Sequence, residues 1–300
     1  MKKNMGTADR IIRILLAAVF AVLYFTGTVT GTVVFNHLTL NNTTTMSANV
    51  SVGGTLLVNN TAAAIASNRV TYNSGSTLRF AANKSIGSGD MFWETNIPST
   101  GSAQKGVPWN VIVNASTSLT FTDSYEYYMN GSMTNNGTLT LGNAGGSNWG
   151  DLYLRGNFSN TGTFAHNGRS LKFNGTSVVQ DISNTGSGNF RYVAVEGSSN
   201  SLRLTSSITI DGTDYEPLRL ASGGLDLNTF NLTFSTDGGN ITANGSKSIS
   251  GTGTININGS KTVSGTNTPA LSFGSGVTIV LTKGMNFGSS LSTVNGTLQI

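Results

Sequence analysis

The sequence predicts an all-β fold: a right-handed parallel β-helix, or solenoid, that follows an amino-terminal hydrophobic helix. The first observation behind this prediction is a near-repeat. Gly131–Gly142 and Gly156–Gly168 share the pattern Gly-x-x-x-Asn-x-Gly-Thr at positions 25 residues apart. The same spacing, without sequence identity, relates Ser207–Gly212 to Leu232–Asp237. A fixed period of this length is typical of a solenoid, in which each repeat forms one layer of a stack.

The second observation is a period-2 alternation of apolar residues in short runs. In a strand, alternate side chains face the same side, so each run offers two or three apolar groups to a core. These runs include Leu139/Leu141, Leu152/Leu154, Leu171/Phe173, Leu202/Leu204, Ile208/Ile210, Leu218/Leu220, Leu225/Leu227, Leu232/Phe234, Ile255/Ile257 and Val277/Ile279/Leu281.

The third observation is that pairs of residues ending in glycine, mostly Asn-Gly, separate these runs. Such pairs supply the positive-φ positions that tight corners require. They are Asn130-Gly131, Asn136-Gly137, Asn174-Gly175, Asp211-Gly212, Gly238-Gly239, Asn244-Gly245, Asn258-Gly259 and Asn295-Gly296.

Short strands joined by corners also fit a β-sandwich or a string of small β domains. Those folds would show turn signals every 8–12 residues or so and no longer period. A 25-residue period that holds two or three strands favours one coil of a β-helix, so we expect around ten coils in the chain.

Before residue 110 the alternation is less regular. Strands are predicted at Asn49–Val58, Arg69–Tyr72 and Thr77–Phe80. The interval Ser85–Pro108 breaks the pattern and predicts a long loop that leaves the stack. Loops of this kind are where solenoid proteins commonly carry their binding surfaces.

Composition narrows the function classes. Only 10% of the 300 residues are charged, and there is no cysteine, which excludes disulfides and thiolate metal sites. Four prolines and regular strand-like runs argue against disorder. Residues 1–32 carry a net charge of +3 out of the total of +4. The rest of the chain has no clustered cations, so a nucleic-acid partner is not expected.

The amino terminus differs in kind from the rest. Lys2, Lys3, Arg10 and Arg13 precede an uncharged segment, residues 14–35. This segment reads either as a secretory signal, although no small-x-small cleavage site follows, or as a membrane helix about long enough to span a bilayer. Both readings leave the cations in the cytoplasm and the remaining chain outside. We therefore divide the chain into a signal or membrane-anchor segment, residues 1–35, and a solenoid domain, residues 36–300.

Two motifs in this segment carry a family resemblance. Lys3-Asn-Met-Gly-Thr-Ala-Asp-Arg-Ile-Ile-Arg13 and Thr26-Gly-Thr-Val-Thr-Gly-Thr32 resemble the first helix of the two-helix inner-membrane domain of YgaP-like proteins. The resemblance implies a membrane segment and ends near residue 32. Residues 36–300 are similar in repeat style to the β-solenoids of exported gram-negative surface proteins, adhesins among them, which implies an extracellular, non-catalytic role.

The candidate site residues fall into two acidic groups. Asp211, Asp214 and Glu216 lie within six residues and could bind a hard cation or act as an acid/base pair on a sugar, or simply form a solvated corner.

In the second group, Asp123 and Glu126 lie beside tyrosines, as on a surface that stacks on a sugar ring. Trp93, Trp109 and Trp149 could extend such a platform, or could anchor loops in the core. The two histidines lie far apart in sequence, and no cofactor or metal is expected.

The resulting expectation is a non-catalytic, exported cell-surface solenoid with a structural or adhesive role. Its expected partners are the membrane, through residues 14–35, and cell-surface glycans or other surface proteins. The alternatives are a carbohydrate-active β-helix enzyme and a YgaP-like membrane-domain protein fused to a surface repeat. Because the apolar alternation runs to Ile300, we also expect a fragment or end-to-end self-association.

Overall fold

The chain folds as an all-β solenoid of about ten turns. A computed structural model describes residues 33–44, 49–65, 69–87, 90–123, 125–142, 151–176, 178–198, 200–265, 271–287 and 293–300. The predicted amino-terminal helix lies outside these residues, apart from positions 33–35, which begin the first strand. Among the described residues, no helix is long and apolar enough to cross a bilayer.

The strands are short, and most coils contribute three. In chain order the first are β1 (Val33–Leu40), β2 (Thr43–Thr44), β3 (Val50–Val58), β4 (Ala64–Ile65), β5 (Val70–Tyr72), β6 (Thr77–Phe80), β7 (Lys84–Ile86), β8 (Gln104–Lys105), β9 (Asn110–Val113), β10 (Ser118–Phe121) and β11 (Tyr127–Met129). The middle coils hold β12 (Met133–Asn135), β13 (Thr138–Thr140), β14 (Leu152–Leu154), β15 (Phe158–Asn160), β16 (Thr163–Ala165), β17 (Ser170–Phe173), β18 (Val179–Asn184), β19 (Tyr192–Val195), β20 (Ser201–Leu204), β21 (Ile208–Ile210) and β22 (Leu218–Leu220). The last are β23 (Leu225–Asp226), β24 (Leu232–Phe234), β25 (Asn240–Ala243), β26 (Lys247–Ser250), β27 (Thr254–Ile257), β28 (Lys261–Gly265), β29 (Leu271–Phe273), β30 (Thr278–Leu281), β31 (Met285–Asn286), β32 (Thr293–Val294) and β33 (Thr297–Gln299).

Strands pair with their counterparts one coil away, as a β-helix requires and a hairpin fold does not. A 14-stranded sheet runs the length of the stack, and an eight-stranded sheet has the order β11-β14-β17-β19-β22-β25-β28-β31. The third side is formed by a four-stranded sheet and a five-stranded sheet. Among the described strand pairs, only β5 with β8 is antiparallel. The parallel solenoid prediction is therefore confirmed.

The register tests the predicted period. Met133 pairs with Phe158 and Thr138 with Thr163, so the 25-residue offset of the near-repeat is confirmed. The 25-residue spacing between Ser207–Gly212 and Leu232–Asp237 is wrong by one residue, because Ile208 pairs with Leu232, 24 residues later. A shift of one residue moves every side chain to the opposite face. The observed register keeps apolar side chains stacked in the core, where the 25-residue offset would have set them against threonines.

The corner after β12, β15 and β18 explains why the near-repeat exists. Asn135 and Asn160 are fully buried, and each donates its side-chain amide to the asparagine of the next coil, Asn160 and then Asn184, over 2.6 Å. A Cβ at Gly162 would lie 1.9 Å from the carbonyl oxygen of Gly137. We call this stack the Asn–Gly corner. It gives the buried side-chain NH2 groups of Asn135 and Asn160 acceptors and lets successive backbones approach closely.

The prediction of positive φ is confirmed for three of the nine corner glycines and is wrong for the other six. Of those glycines, Gly238, Gly239 and Gly245 have positive φ. The others do not have positive φ, and a side chain there would collide with the backbone or with packed side chains. They are Gly131, Gly137, Gly175, Gly212, Gly259 and Gly296.

The predicted long loop is present between β7 and β9. Its residue Thr95 bridges to Tyr127, and its strand β8 pairs with β5, so the loop lies across neighbouring coils. Trp93 anchors the loop: the indole is fully buried and donates to the carbonyl oxygen of Tyr128 over 2.7 Å.

Candidate ligand-binding groove

Two irregular segments fold onto the outer face of the eight-stranded sheet. The long loop covers its first strands, where Ile97 and Val107 pack on the outward rings of Tyr128 and Tyr153. Four strands away, the turn between β21 and β22, residues 211–217, lies over the same face. Beside this turn is a groove of about 140 Å³. Its charged lining residues are Asp151, Lys172, Glu196, Glu216 and Arg219, and the others are Ser170, Tyr192, Ala194 and Tyr215.

The sheet register explains how these residues meet. Outward side chains of successive strands form a row, in which Tyr153 pairs with Lys172, Lys172 with Ala194, and Ala194 with Arg219. Ala194 is the one short side chain among these four. It leaves a gap in the row between two long cationic side chains, and this gap forms the floor of the groove.

Lys172 is held firmly on one side of the floor. Its Nζ lies 2.8 Å from Asp151, which is 2% exposed, and donates to the Tyr153 hydroxyl over 2.8 Å. The same Nζ lies 4.7 Å from the centre of the Tyr153 ring. An ion pair, a hydrogen bond and a cation–π contact together fix the position of this ammonium group.

Arg219 is held more loosely on the other side. Its guanidinium lies 3.5 Å from Glu196 and 3.6 Å from Glu216. Both contacts are longer than a normal hydrogen bond, and Nε makes no hydrogen bond. Two carboxylates therefore share one cation whose N–H groups are not fully used.

Beneath the long loop, two tyrosines continue the row of outward side chains beyond Lys172. The rings of Tyr128 and Tyr153 are stacked with centroids 4.2 Å apart, and both hydroxyls donate to the Glu126 carboxylate. Burial, followed by the nearby Glu126, raises the pKa of both phenols well above the ordinary value. Neither ring is open to a ligand, because the loop covers them.

At the opposite wall, Tyr215 stands in solvent. Its side chain is 65% exposed, and its backbone has a φ of 49°, which is uncommon for a residue other than glycine. Next to it, Asp214 accepts a hydrogen bond from Arg191 over 3.0 Å and another from the Tyr192 hydroxyl. These contacts brace the turn that presents Tyr215.

The first predicted acidic group does not converge on one point. Asp211 contacts His166 Nε2 at 3.3 Å, Asp214 pairs with Arg191, and Glu216 alone lines the groove. Burial raises the pKa of Asp211, but the contacts with His166 and Asn189 and the charge of Arg191 together outweigh burial and hold that pKa below its usual value. No group of three acidic or histidine side chains that could hold a metal occurs in the described part of the chain.

The second predicted group is split between the two faces of the sheet. Asp123 accepts from the inward Tyr127 hydroxyl over 2.8 Å, whereas Glu126 faces outward. Trp93 lies in the core against Phe121, with ring centroids 5.3 Å apart, so it offers no face for stacking. Trp109 is half-buried beside Gly131, and Trp149 lies outside the described residues.

Sequence reasoning missed Lys172, Tyr192, Ala194, Glu196 and Arg219. Four of them are outward residues of ordinary strands and Glu196 directly follows β19, so only the coil-to-coil register brings them together. A correct register over residues 170–220 would have placed them on one face, but the step from Lys172 to Ala194 is 22 residues and only the step from Ala194 to Arg219 is 25.

Comparisons with known proteins concern the amino terminus. A family model described as "Inner membrane protein YgaP-like, transmembrane domain" matches residues 1–59. The match extends beyond residue 32, where the motif resemblance ends, and includes residues that the structure folds into β1, β2 and β3. No curated protein and no solved structure matches the chain. The amino-terminal fifth of the chain is thus similar to a YgaP-like inner-membrane domain.

Proposed function

We propose that this chain is a non-catalytic protein of the cell surface with a structural or adhesive role. The solenoid would lie on the outer side of the membrane, wound right-handed as nearly all parallel crossovers are. Residues 14–35 would tether or target it, in line with the match to an inner-membrane domain. The observation that carries this proposal is the groove. The 211–217 turn, which departs from the repeat, borders a solvent-open depression on the outward face of the eight-stranded sheet.

The contacts of the acidic side chains favour binding over catalysis. Asp211, Asp214 and Glu216 each contact a different basic residue and do not surround a common point. A glycoside hydrolase needs two carboxyl groups that flank one bond, about 5–10 Å apart. The candidate acids of the turn are arranged instead as separate ion pairs on the surface.

Cysteine labelling tests the location, because the chain has no native cysteine. Val179 is 56% exposed on the 14-stranded sheet. In intact gram-negative cells, Val179→Cys should react with a membrane-impermeant maleimide, whereas Thr7→Cys should react only after permeabilisation. Labelling of Thr7→Cys alone in intact cells would show the opposite topology, with the solenoid in the cytoplasm. A peptide containing Lys2–Arg13 in the mature fraction would show that the segment is retained.

One observation supports the enzyme alternative. Glu196 and Glu216 both border the groove, on either side of Arg219. Release of reducing ends or unsaturated products from a polysaccharide, abolished by Glu216→Gln, would establish this alternative and refute the non-catalytic role.

A further inference from the structure

The size of the groove sets the size of its ligand. Pockets for whole small molecules usually have volumes of about 300–1,000 Å³. The groove measures about 140 Å³ and is open to solvent along one side. It therefore suits one ring of a longer polymer, with the neighbouring units running along the sheet face.

The charge of the groove excludes several ligand classes. Three carboxylates and two cations line it, and the signs alternate across the floor from Asp151 and Lys172 to Glu196 and Arg219. An anionic group would meet the carboxylates, and a cationic side chain would meet Lys172 and Arg219. An apolar side chain would strip water from five ionised groups without replacing their hydrogen bonds. A neutral ligand rich in hydroxyls, which both donate and accept, avoids all three costs.

Two features give such a ligand specific contacts. Arg219 has N–H groups that are not fully used, and it lies between two carboxylates, so adjacent hydroxyls of a ring could donate to Glu196 or Glu216 and accept from Arg219. The exposed Tyr215 ring supplies an apolar surface beside these polar groups. Aromatic side chains of this kind have an apolar face and a polar edge, which matches the faces of a sugar ring.

We propose that the groove binds one unit of a neutral glycan, with Tyr215 as the stacking surface and Glu196, Glu216 and Arg219 as the hydroxyl-binding groups. This inference rests on the proposed role at the cell surface and specifies the partner. Ala194 sets the room available for the sugar ring, because it is the short residue in the floor.

Binding of the purified full-length chain to soluble dextran, mannan, galactan and polygalacturonate tests the inference by biolayer interferometry. We expect at least one of the three neutral polymers to bind and the acidic polygalacturonate to bind more weakly. Tyr215→Ala should weaken binding by about tenfold, which corresponds to about 1.4 kcal/mol. Ala194→Phe should abolish binding by filling the floor. Tyr125→Ala, at an exposed tyrosine away from the groove, is the matched control and should bind as the parent does.

The following results would overturn the inference: no binding to any neutral polymer, preference for polygalacturonate, or equal binding by Tyr215→Ala and the parent chain. Binding of a lysine-rich peptide at the same groove, in place of the glycans, would also overturn it. The maleimide experiment is independent of these results. If the solenoid is labelled outside the cell but binds no neutral glycan, the proposed location is supported and only the proposed ligand is refuted.

Discussion

The Asn–Gly corner and the groove lie in the same coils but are built in opposite ways. At the corner, each coil repeats the chemistry of the last, as in Asn135, Asn160 and Asn184. In the groove, successive strands place different residues at one position of the row, as in Lys172, Ala194 and Arg219. Repetition therefore marks where the stack is held together, and its absence marks where a surface has become specific.

The comparison also separates buried from exposed polar groups. Asn135 and Asn160 of the corner are fully buried, and each loses a short side-chain hydrogen bond if its neighbour is removed. The ion pairs beside Arg219 are about one-third exposed and are screened by water. We therefore expect substitutions at the corner to change stability and substitutions in the groove to change binding.

The largest effect is expected at Gly162. Alanine there would place Cβ 1.9 Å from the carbonyl oxygen of Gly137, so successive coils would have to separate. Gly162→Ala should lower stability by about 3 kcal/mol, the upper range for overpacked sites. The measurement is the urea midpoint followed by tryptophan fluorescence. Gly284→Ala is the control, because a Cβ there meets nothing within 4 Å. Similar midpoints for the two variants would show that the corner is not tightly stacked.

A smaller loss is expected when the amide stack is interrupted. Asn160→Ala removes the acceptor of the Asn135 amide and the donor to Asn184. The Asn135 amide keeps its bond to the carbonyl oxygen of Thr163, so the expected cost is that of the two lost side-chain hydrogen bonds, about 2 kcal/mol. The neighbouring Asn136 makes an exposed contact with Thr161, so Asn136→Ala should cost less than about 0.5 kcal/mol. Equal urea midpoints for the two variants would contradict the structural role of the stack.

Beneath the long loop, the ionisation of two buried tyrosines should reduce stability at alkaline pH. The pKa values of Tyr128 and Tyr153 are raised in the folded chain, by burial first and then by Glu126. Tyrosine in the unfolded chain ionises at about pH 10, so the unfolded chain loses these protons at a lower pH than the folded chain does. The stabilising contribution is thus complete below about pH 10 and is lost as the pH rises further.

Tyr153→Phe should make the fall in urea midpoint between about pH 9 and pH 11 less steep. Tyr125→Phe, at an exposed ring, should retain the steep fall of the parent chain. An unchanged slope in Tyr153→Phe would indicate that this phenol is not buried beneath the loop in solution.

These differences explain how much could be predicted from sequence. The alternation of Leu152 and Leu154 or of Ile255 and Ile257 identified core positions directly, because burial on one face of a strand imposes a period of two. The near-repeat gave the register at Met133 and Phe158, because the Asn–Gly corner that follows them recurs from one coil to the next. Where the coil length changes to 24 residues, as at Ile208 and Leu232, the register could not be obtained from the period.

The groove could be predicted only in part. Glu216 was identified because acidic residues are scarce and it lies in a cluster, but Asp211 and Asp214 in the same cluster have other partners. Lys172 and Arg219 are more than 45 positions apart in sequence and meet only through β19. Nothing local in either residue indicates a site, because the site is a property of the register between coils.

The smallest effect on stability is expected at Glu216. This residue gives the clearest test of the contrast between the groove and the Asn–Gly corner. Its contact with Arg219 is 3.6 Å long and about one-third exposed, and Arg219 retains Glu196 when Glu216 is changed. Glu216→Gln should therefore shift stability by no more than about 0.5 kcal/mol. Asp181→Asn is the control, since the Asp181–Arg203 pair is similarly exposed on a different sheet. If Glu216→Gln were as destabilising as Asn160→Ala, the groove would be part of the framework of the solenoid, and its unlike residues would need a structural explanation.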